Sequence, residues 1–409
     1  SSNLLEGEFS RRIEDINMKA RMVNIGHNHG DSFDFTSRLI DLNKNAKAKT
    51  FDELAFSKNS CRLRRVTETL SRGMILTIGV TGSGKSTSQQ NMMQQERDRS
   101  GGSKKIISIE HPVEYNMDRI TQISAGEEHE SPDRNFSFDH INTLLMRADP
   151  DTIAYGEIRN SETAKASIKG VESGHLVYGT MHASDAMGAF SRFGSFGIKM
   201  ETVCKKGFLR LILYQMLLPK LCPDCSIKYK IGSDIPDKYG EVFALKSHKL
   251  PNGQSISLKE IMEAQENIGP QDSLIRHFQA QGKITTKDVI DMRRKLEVMN
   301  ADNDKEGLKL RLQKVINISM LREDEINIRF RGTGCKNCFQ GQVGVVPASE
   351  VIVPDETFLR LMREGQPDKA ELYWKASLGG RSATSDSYEK ILSGHVDPRT
   401  VEEELENLG

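Results

Sequence analysis

The chain has 409 residues, with 57 lysines and arginines against 57 aspartates and glutamates, so its formal charge is zero. This length predicts two or three domains, each large enough to bury a core. A composition of 37% hydrophobic and 28% charged residues excludes a disordered or collagen-like chain. The sequence also lacks the run of about 18 apolar residues that a membrane span needs.

Neutral overall charge gives no global electrostatic footprint for nucleic acid, and a local basic face is the alternative that the average leaves open. Six cysteines are too few for a disulfide framework and indicate a reducing, cytosolic environment. Because the sequence begins Ser1-Ser2-Asn3, without a methionine or a signal peptide, we expect the natural N-terminus to lie further upstream.

The first 66 residues mix strand-like and helical stretches, and we predict an N-terminal α+β domain at 1–66 that is truncated at its start. Glycine, asparagine and aspartate residues between the strand-like stretches 20–24 and 33–36 predict a hairpin.

From residue 67 to 220 short apolar runs alternate with helical stretches, which is typical of a parallel sheet with crossover helices. Buried strands are expected at 74–78, 105–109, 152–155 and 175–180, with helices at 138–147 and 161–173.

The third predicted region, 221–343, contains apolar residues at helical spacing that predict a helical insertion over 255–318. This insertion is either an arm for partner contact or a solvated spacer. The last region, 344–409, is predicted to form a short strand followed by C-terminal helices.

The loop after the predicted strand 74–78 fits the phosphate-binding pattern G-x-x-x-x-G-K-S/T. Its glycines let backbone N–H groups turn toward phosphate oxygens, and the following helix directs its positive dipole end at them. We expect Lys85 to reach the β- and γ-phosphates of ATP, and the Ser86 hydroxyl to hold Mg²⁺. The residues expected to contact nucleotide are Gly79, Thr81, Gly82, Ser83, Gly84, Lys85, Ser86 and Thr87.

Two further strand ends carry carboxylates. Glu157 follows the strand 152–155 and is the candidate general base for water attack, although Gly156 occupies the position where an aspartate is usual. Glu110 and Glu114 follow the strand 105–109 and are suited to positioning Mg²⁺ or water. The alternative is that these acids are solvated loop residues.

His175 and His182 lie at opposite ends of one apolar strand. A histidine beside the phosphate loop could sense the γ-phosphate, and a structural role is the alternative.

Four of the six cysteines form two C-x-x-C pairs, Cys222 with Cys225 and Cys335 with Cys338. Two such pairs make the tetrahedral four-thiolate site that Zn²⁺ prefers in structural roles, without an open position for water. A redox-active pair is the alternative, but it needs a βαβ setting that neither pair has.

These motifs in this order resemble the secretion-type ATPases of type II secretion and type IV pilus assembly. The similarity includes the phosphate loop, an "Asp box" at 109–115, an atypical Walker B at 147–159, which also has glycine before the glutamate, and a "His box" at 174–182. It continues through 215–225, 334–353 and, weakly, 378–404, and the four cysteines match the assembly branch of the family.

The resemblance implies an α/β fold with a RecA-like P-loop core. It also implies a cytoplasmic, homohexameric ATP hydrolase, peripheral at the bacterial inner membrane, that acts on a platform protein there and not on nucleic acid. Such a motor would power type IV pilus assembly or type II secretion.

By the same resemblance, Lys85 and Glu157 are catalytic, Glu110 and Glu114 act on Mg²⁺ or water, and His175 and His182 approach the nucleotide. Arginines of the N-terminal domain would reach the nucleotide of a neighbouring subunit, and Arg21 and Arg38 occupy positions that look similar.

Two other functions stay open at this point. A DNA-transfer or DNA-uptake motor of the same superfamily would need a basic, aromatic-lined channel, which 6% aromatic residues and zero net charge disfavour. A scaffold that binds nucleotide without hydrolysing it is disfavoured by the presence of both Lys85 and Glu157.

Overall fold

The computed structural model describes residues 4–13, 16–26, 33–41, 49–110, 113, 116–125, 138–236, 247–249, 255–257 and 305–408. The chain divides into two compact units, Ser1–Leu217 with Pro347–Ala383 and Leu218–Val346 with Thr384–Gly409. The division into four regions drawn from the sequence stays a prediction.

The described strands are β1 (Leu4–Ile13), β2 (Ile16–Gly26), β3 (Phe33–Asp41), β4 (Gly73–Ile78), β5 (Ile106–Glu110), β6 (Thr121–Ser124), β7 (Thr152–Tyr155), β8 (Leu176–Met181), β9 (Leu209–Leu221), β10 (Ile227–Lys228), β11 (Ser247–Lys249), β12 (Ser255–Ser257), β13 (Arg329–Phe330) and β14 (Gln342–Ile352).

The described helices are α1 (Lys58–Arg64), α2 (Lys85–Arg99), α3 (Phe138–Arg147), α4 (Ser161–Glu172), α5 (Gly188–Ser195), α6 (Met200–Val203), α7 (Lys305–Ser319), α8 (Glu356–Arg363), α9 (Pro367–Ser377), α10 (Ala383–Leu392) and α11 (Pro398–Glu404), with 3-10 turns at Arg65–Thr69 and Glu323–Glu325. None of these helices combines the length and the apolar character needed to cross a membrane.

The central sheet has seven strands in the order β14-β9-β4-β8-β7-β5-β6. The strands from β9 to β6 pair in parallel with their neighbours, as the alternation of apolar runs and helices predicts. Every residue of β4, β7 and β8 is buried, because helices cover a parallel sheet on both faces. The sheet therefore brings the carboxyl ends of β4, β8, β7 and β5 to one edge.

The N-terminal segment forms a three-stranded antiparallel sheet in the order β1-β2-β3. The β2–β3 pairing confirms the predicted hairpin, whose turn at 27–32 lies outside the described residues. In this register the backbone of Arg21 lies directly opposite that of Arg38. The two arginines singled out from the sequence thus share one cross-strand position.

The predicted insertion needs one correction. Ser255–Ser257 is a strand that pairs with Ser247–Lys249, so the helical stretch does not begin at residue 255. The last part of the predicted insertion is helical, as expected. It forms α7, which buries Leu308, Leu312 and Val315 on one face. Residues 258–304 lie outside the described part of the chain.

Candidate functional site

The phosphate loop joins the end of β4 to the start of α2, as the sequence predicts. A Cβ at Gly79 would lie 2.3 Å from the carbonyl oxygen of Gln215 and 2.6 Å from the Ser83 hydroxyl, so no side chain fits there. Gly84 takes the left-handed conformation (φ 82°) as the N-cap of α2 and offers no capping side chain. The first N–H groups of α2 are therefore available to an anion.

Lys85 lies folded against its own loop. Its Nζ donates to the carbonyl oxygens of Gly79 at 3.0 Å and Val80 at 2.8 Å. Burial lowers the pKa of Lys85, and the negative charge of Glu157 opposes that shift. The phosphate loop follows β4 and Glu157 follows β7, and both strands pair in parallel with β8, so Lys85 and Glu157 lie at the same edge of the sheet.

Hydroxyl groups surround the loop. Ser83 is buried, and in the part of the chain that the structure describes its hydroxyl has no hydrogen-bond partner. Ser86 and Thr87 are exposed in the first turn of α2, and nothing lies within 4 Å of a Cβ placed at Gly82. An unpaired buried hydroxyl, open space and a helix N-terminus together fit a bound phosphate.

Glu157 and His182 meet at the ends of β7 and β8. Glu157 Oε1 lies 3.1 Å from His182 Nε2, and each side chain is 41% exposed. The two strand ends are held together because Ile158 N–H donates to the Thr180 carbonyl at 2.8 Å and the Thr180 hydroxyl donates to the Gly156 carbonyl. The pair is thus accessible to solvent on a fixed backbone.

Glu110 ends the next strand, β5. Its Oε1 accepts from the Ser108 hydroxyl at 2.8 Å and from Gln122 Nε2 at 2.9 Å. Gly156 N–H donates to the Ile109 carbonyl at 2.8 Å, which ties the backbone before Glu157 to β5. Glu114 lies outside the described residues.

His175 lies at the amino end of β8, where its Nδ1 is 3.1 Å from the Gly170 carbonyl. Its own carbonyl accepts from Gly73 N–H, at the start of β4. The phosphate loop follows the other end of β4, about 20 Å away along a six-residue strand. This corrects the expectation that both histidines approach the nucleotide, since His175 is not near the loop of its own chain.

Gln215 is a site residue that the motifs did not single out. Its side chain is 2% exposed. It donates from Nε2 to the Ser83 carbonyl at 2.6 Å and accepts at Oε1 from the Ser88 hydroxyl at 2.7 Å. The sequence feature that could have identified Gln215 is its polar side chain within the apolar run of β9. A buried amide needs hydrogen-bond partners, so such a residue indicates a specific polar contact.

The four cysteines of the C-x-x-C pairs come together in the second unit, with all their Sγ atoms within 4.8 Å of one another. The Sγ–Sγ distance is 3.8 Å for Cys222–Cys335 and 3.7 Å for both Cys225–Cys338 and Cys335–Cys338. A tetrahedral zinc site with Zn–S bonds of about 2.3 Å has edges of about 3.8 Å. The cluster therefore has the dimensions of a four-thiolate zinc site.

The thiols of this cluster differ in acidity. The backbone N–H of Cys335 donates to Cys338 Sγ at 3.1 Å, and this bond is the main cause that lowers the pKa of Cys338 to about 7. Burial raises the pKa of Cys225 to about 12. Cys61 and Cys204 are buried and are not part of the cluster.

The comparisons with known proteins agree with this architecture. The family described as "Type II/IV secretion system protein" matches residues 6–406. The chain is 30% identical over 238 residues to type II secretion system protein E of Dickeya dadantii, which covers 58% of this chain and 44% of that protein. It is 31% identical over 230 residues to type II secretion system ATPase E of Vibrio cholerae, covering 56% and 43%. The match thus spans less than half the length of these relatives.

Among solved structures, the ATPase DotB of Yersinia pseudotuberculosis is similar with a TM-score of 0.55 at 13% identity, covering 99% of this chain and 76% of that one. The pilus retraction motor PilT with bound ADP is similar with a TM-score of 0.51 at 18% identity, covering 97% and 77%. These two likenesses concern the fold alone, and they confirm the predicted α/β class with a P-loop core. The family match over nearly the whole chain shows that the chain belongs to the type II/IV secretion system protein family.

Proposed function

We propose that the chain is an ATP hydrolase and the motor subunit of a type IV pilus assembly or type II secretion machine. The observation that carries this proposal is that Lys85, Glu157 and His182 follow neighbouring parallel strands at one sheet edge, beside a loop shaped for phosphate. A scaffold that only binds nucleotide has no need of a solvent-accessible carboxylate beside the phosphate loop.

In this proposal each residue has a separate task. The loop amides and Lys85 bind the β- and γ-phosphates, and the Ser86 hydroxyl is suited to hold Mg²⁺, which supplies charge stabilisation on the phosphate oxygens. Glu157 accepts a proton from the attacking water, and His182, within hydrogen-bond distance, orients its carboxylate. Glu110 and Glu114 are the proposed second carboxylates for Mg²⁺ or water.

Two variants test the hydrolase. Lys85→Ala should abolish ATP binding, because the ammonium opposite the phosphates is lost. Glu157→Gln should keep ATP binding but lower turnover by at least about a hundredfold, as expected for loss of a general base. Matched controls are Lys165→Ala and Glu162→Gln, which change exposed residues of α4. Wild-type turnover in Glu157→Gln would show that another group is the base.

The motor is proposed to work as a homohexamer at the cytoplasmic face of the bacterial inner membrane, against a platform protein in that membrane. The names of the relatives, type II secretion system protein E and ATPase E, support a role in secretion. Arg21 and Arg38 are proposed to act on the nucleotide of a neighbouring subunit. Sedimentation with ATP-bound Glu157→Gln protein should give a six-subunit particle, and a stable monomer under these conditions would contradict the ring.

The four-cysteine cluster is proposed to hold a structural Zn²⁺. Four thiolates leave no open position for water, so the ion would fix the fold of the second unit and take no part in hydrolysis. The Sγ separations of 3.7 and 3.8 Å support this assignment.

A further inference from the structure

The side chain of Gln215 bridges two parts of the phosphate-loop region. β9 carries it into the interior beside β4, where it contacts the Ser83 carbonyl on the loop and the Ser88 hydroxyl on the first turn of α2. A carbonyl only accepts hydrogen bonds, so the amide NH₂ must face Ser83 and the amide oxygen must face Ser88. The orientation of the Gln215 amide is therefore determined by its partners.

The loop packs closely on this part of β9. Besides the 2.3 Å approach that a Cβ at Gly79 would make to the Gln215 carbonyl, a Cβ at Gly84 would lie 2.9 Å from Gln215 Nε2. Gly79 and Gly84, at the two ends of the phosphate loop, are thus both positions where a side chain would clash with Gln215. A substitution at residue 215 acts on the loop directly, since no other side chain separates them.

The hydrogen bond from Gln215 to the Ser83 carbonyl also determines the direction of the next backbone N–H, which belongs to Gly84. In a planar trans peptide the C=O and the following N–H point in opposite directions. Because Gln215 holds the Ser83 carbonyl toward β9, the Gly84 N–H must point away from β9. The same contact fixes the peptide plane between Ser83 and Gly84 and so limits rotation about the backbone bonds on either side of that plane.

We propose that Gln215 is a positioning residue for nucleotide binding, which holds the Gly84 N–H in place for the β-phosphate. The inference rests on the proposed function, because it requires the loop to bind a nucleoside diphosphate or triphosphate. It assigns Gln215 an effect on phosphate affinity and none on the chemical step.

The test measures the Kd for MgADP with a fluorescent ADP analogue, and KM and kcat for ATP. Gln215→Leu keeps the approximate side-chain size but removes both hydrogen bonds, and should raise Kd and KM about tenfold. We expect kcat to change less than about threefold, since the loop holds the phosphates equally in the ground and transition states. Ser88→Ala removes one of the two bonds and should raise Kd about threefold.

Gln94→Leu is the matched control, because Gln94 is a buried glutamine on the same helix, more than one turn beyond Ser88. It should leave Kd, KM and kcat unchanged. If Gln215→Leu does not fold, Ser88→Ala decides, and wild-type ADP affinity in that variant overturns the proposal. An affinity loss of the same size in Gln94→Leu would show a general packing effect and would also overturn it.

Measurements on the wild-type protein distinguish failure of the positioning role of Gln215 from failure of the proposed function. If it binds and hydrolyses ATP while Gln215→Leu has an unchanged Kd, the positioning role is wrong and the proposed function stands. If the wild type binds no ADP, the proposed function fails and this inference fails with it.

Discussion

Gly156 replaces the aspartate that is usual before the catalytic glutamate of P-loop enzymes, and the structure gives a steric reason. A Cβ at this position would lie 3.2 Å from the Cα of Glu110, 3.2 Å from the carbonyl oxygen of Ile109 and 3.4 Å from the Cγ of Glu110. Two of these three atoms are backbone atoms of β5, so they cannot rotate away. Substitution by alanine must push the ends of β5 and β7 apart.

We expect Gly156→Ala to cost about 1–2 kcal/mol of unfolding free energy. Overpacking typically costs about 1–3 kcal/mol, and 3.2 Å is only a few tenths of an ångström short of an ordinary contact, so the lower half of that range applies. The backbone at Gly156 is not in the left-handed region, so the effect is steric alone. At roughly 2–4 °C per kcal/mol, the melting temperature should fall by roughly 2–8 °C.

The assay compares thermal melting and ATP turnover of Gly156→Ala with those of Gly194→Ala. Gly194 lies in α5, and nothing is within 4 Å of a Cβ placed there, so alanine should stabilise the helix by up to about 1 kcal/mol. The two variants add the same methyl group and should shift the melting temperature in opposite directions. Because Glu157 is displaced with Gly156, turnover of Gly156→Ala should also fall about tenfold. A Gly156→Ala protein that melts at or above the wild-type temperature would refute the steric argument.

Three further predictions concern the cysteine cluster and the core. The purified protein should contain about one zinc per chain, and Cys338→Ser should contain less than about half, as elemental analysis would show. Since thiols with pKa values of about 7 at Cys338 and about 12 at Cys225 must lose protons to bind metal, zinc affinity should rise with pH by at least about tenfold per unit between about pH 6 and 8, measured with a competing chelator. Tyr155→Phe removes the hydroxyl that donates to Asn142 Oδ1 at 2.6 Å and leaves a buried amide unpaired, so it should destabilise the protein by about 1–3 kcal/mol in chemical denaturation.

The strands and the phosphate loop could be predicted because their signals are local. β7 and α3 have the predicted bounds, since a continuous apolar run and an amphipathic helix each show their own period. β9 was not predicted, because thirteen largely apolar residues suit a buried helix as well as a buried strand. Without β9 next to β4, the role of Gln215 could not be derived, because its partners are 127 and 132 residues away in sequence.

The two histidines show how parallel pairing decides what sequence spacing leaves open. β4 and β8 pair in parallel with Ile78 opposite Met181 and Gly73 opposite Leu176. Whatever follows Met181 must then lie beside whatever follows Ile78, which is the phosphate loop, and whatever precedes Leu176 must lie at the far edge. His182 therefore belongs with Lys85 and Glu157, whereas His175 serves the packing of α4 through the Gly170 carbonyl. The register of one strand pair thus assigns different roles to two residues of the same type in one motif.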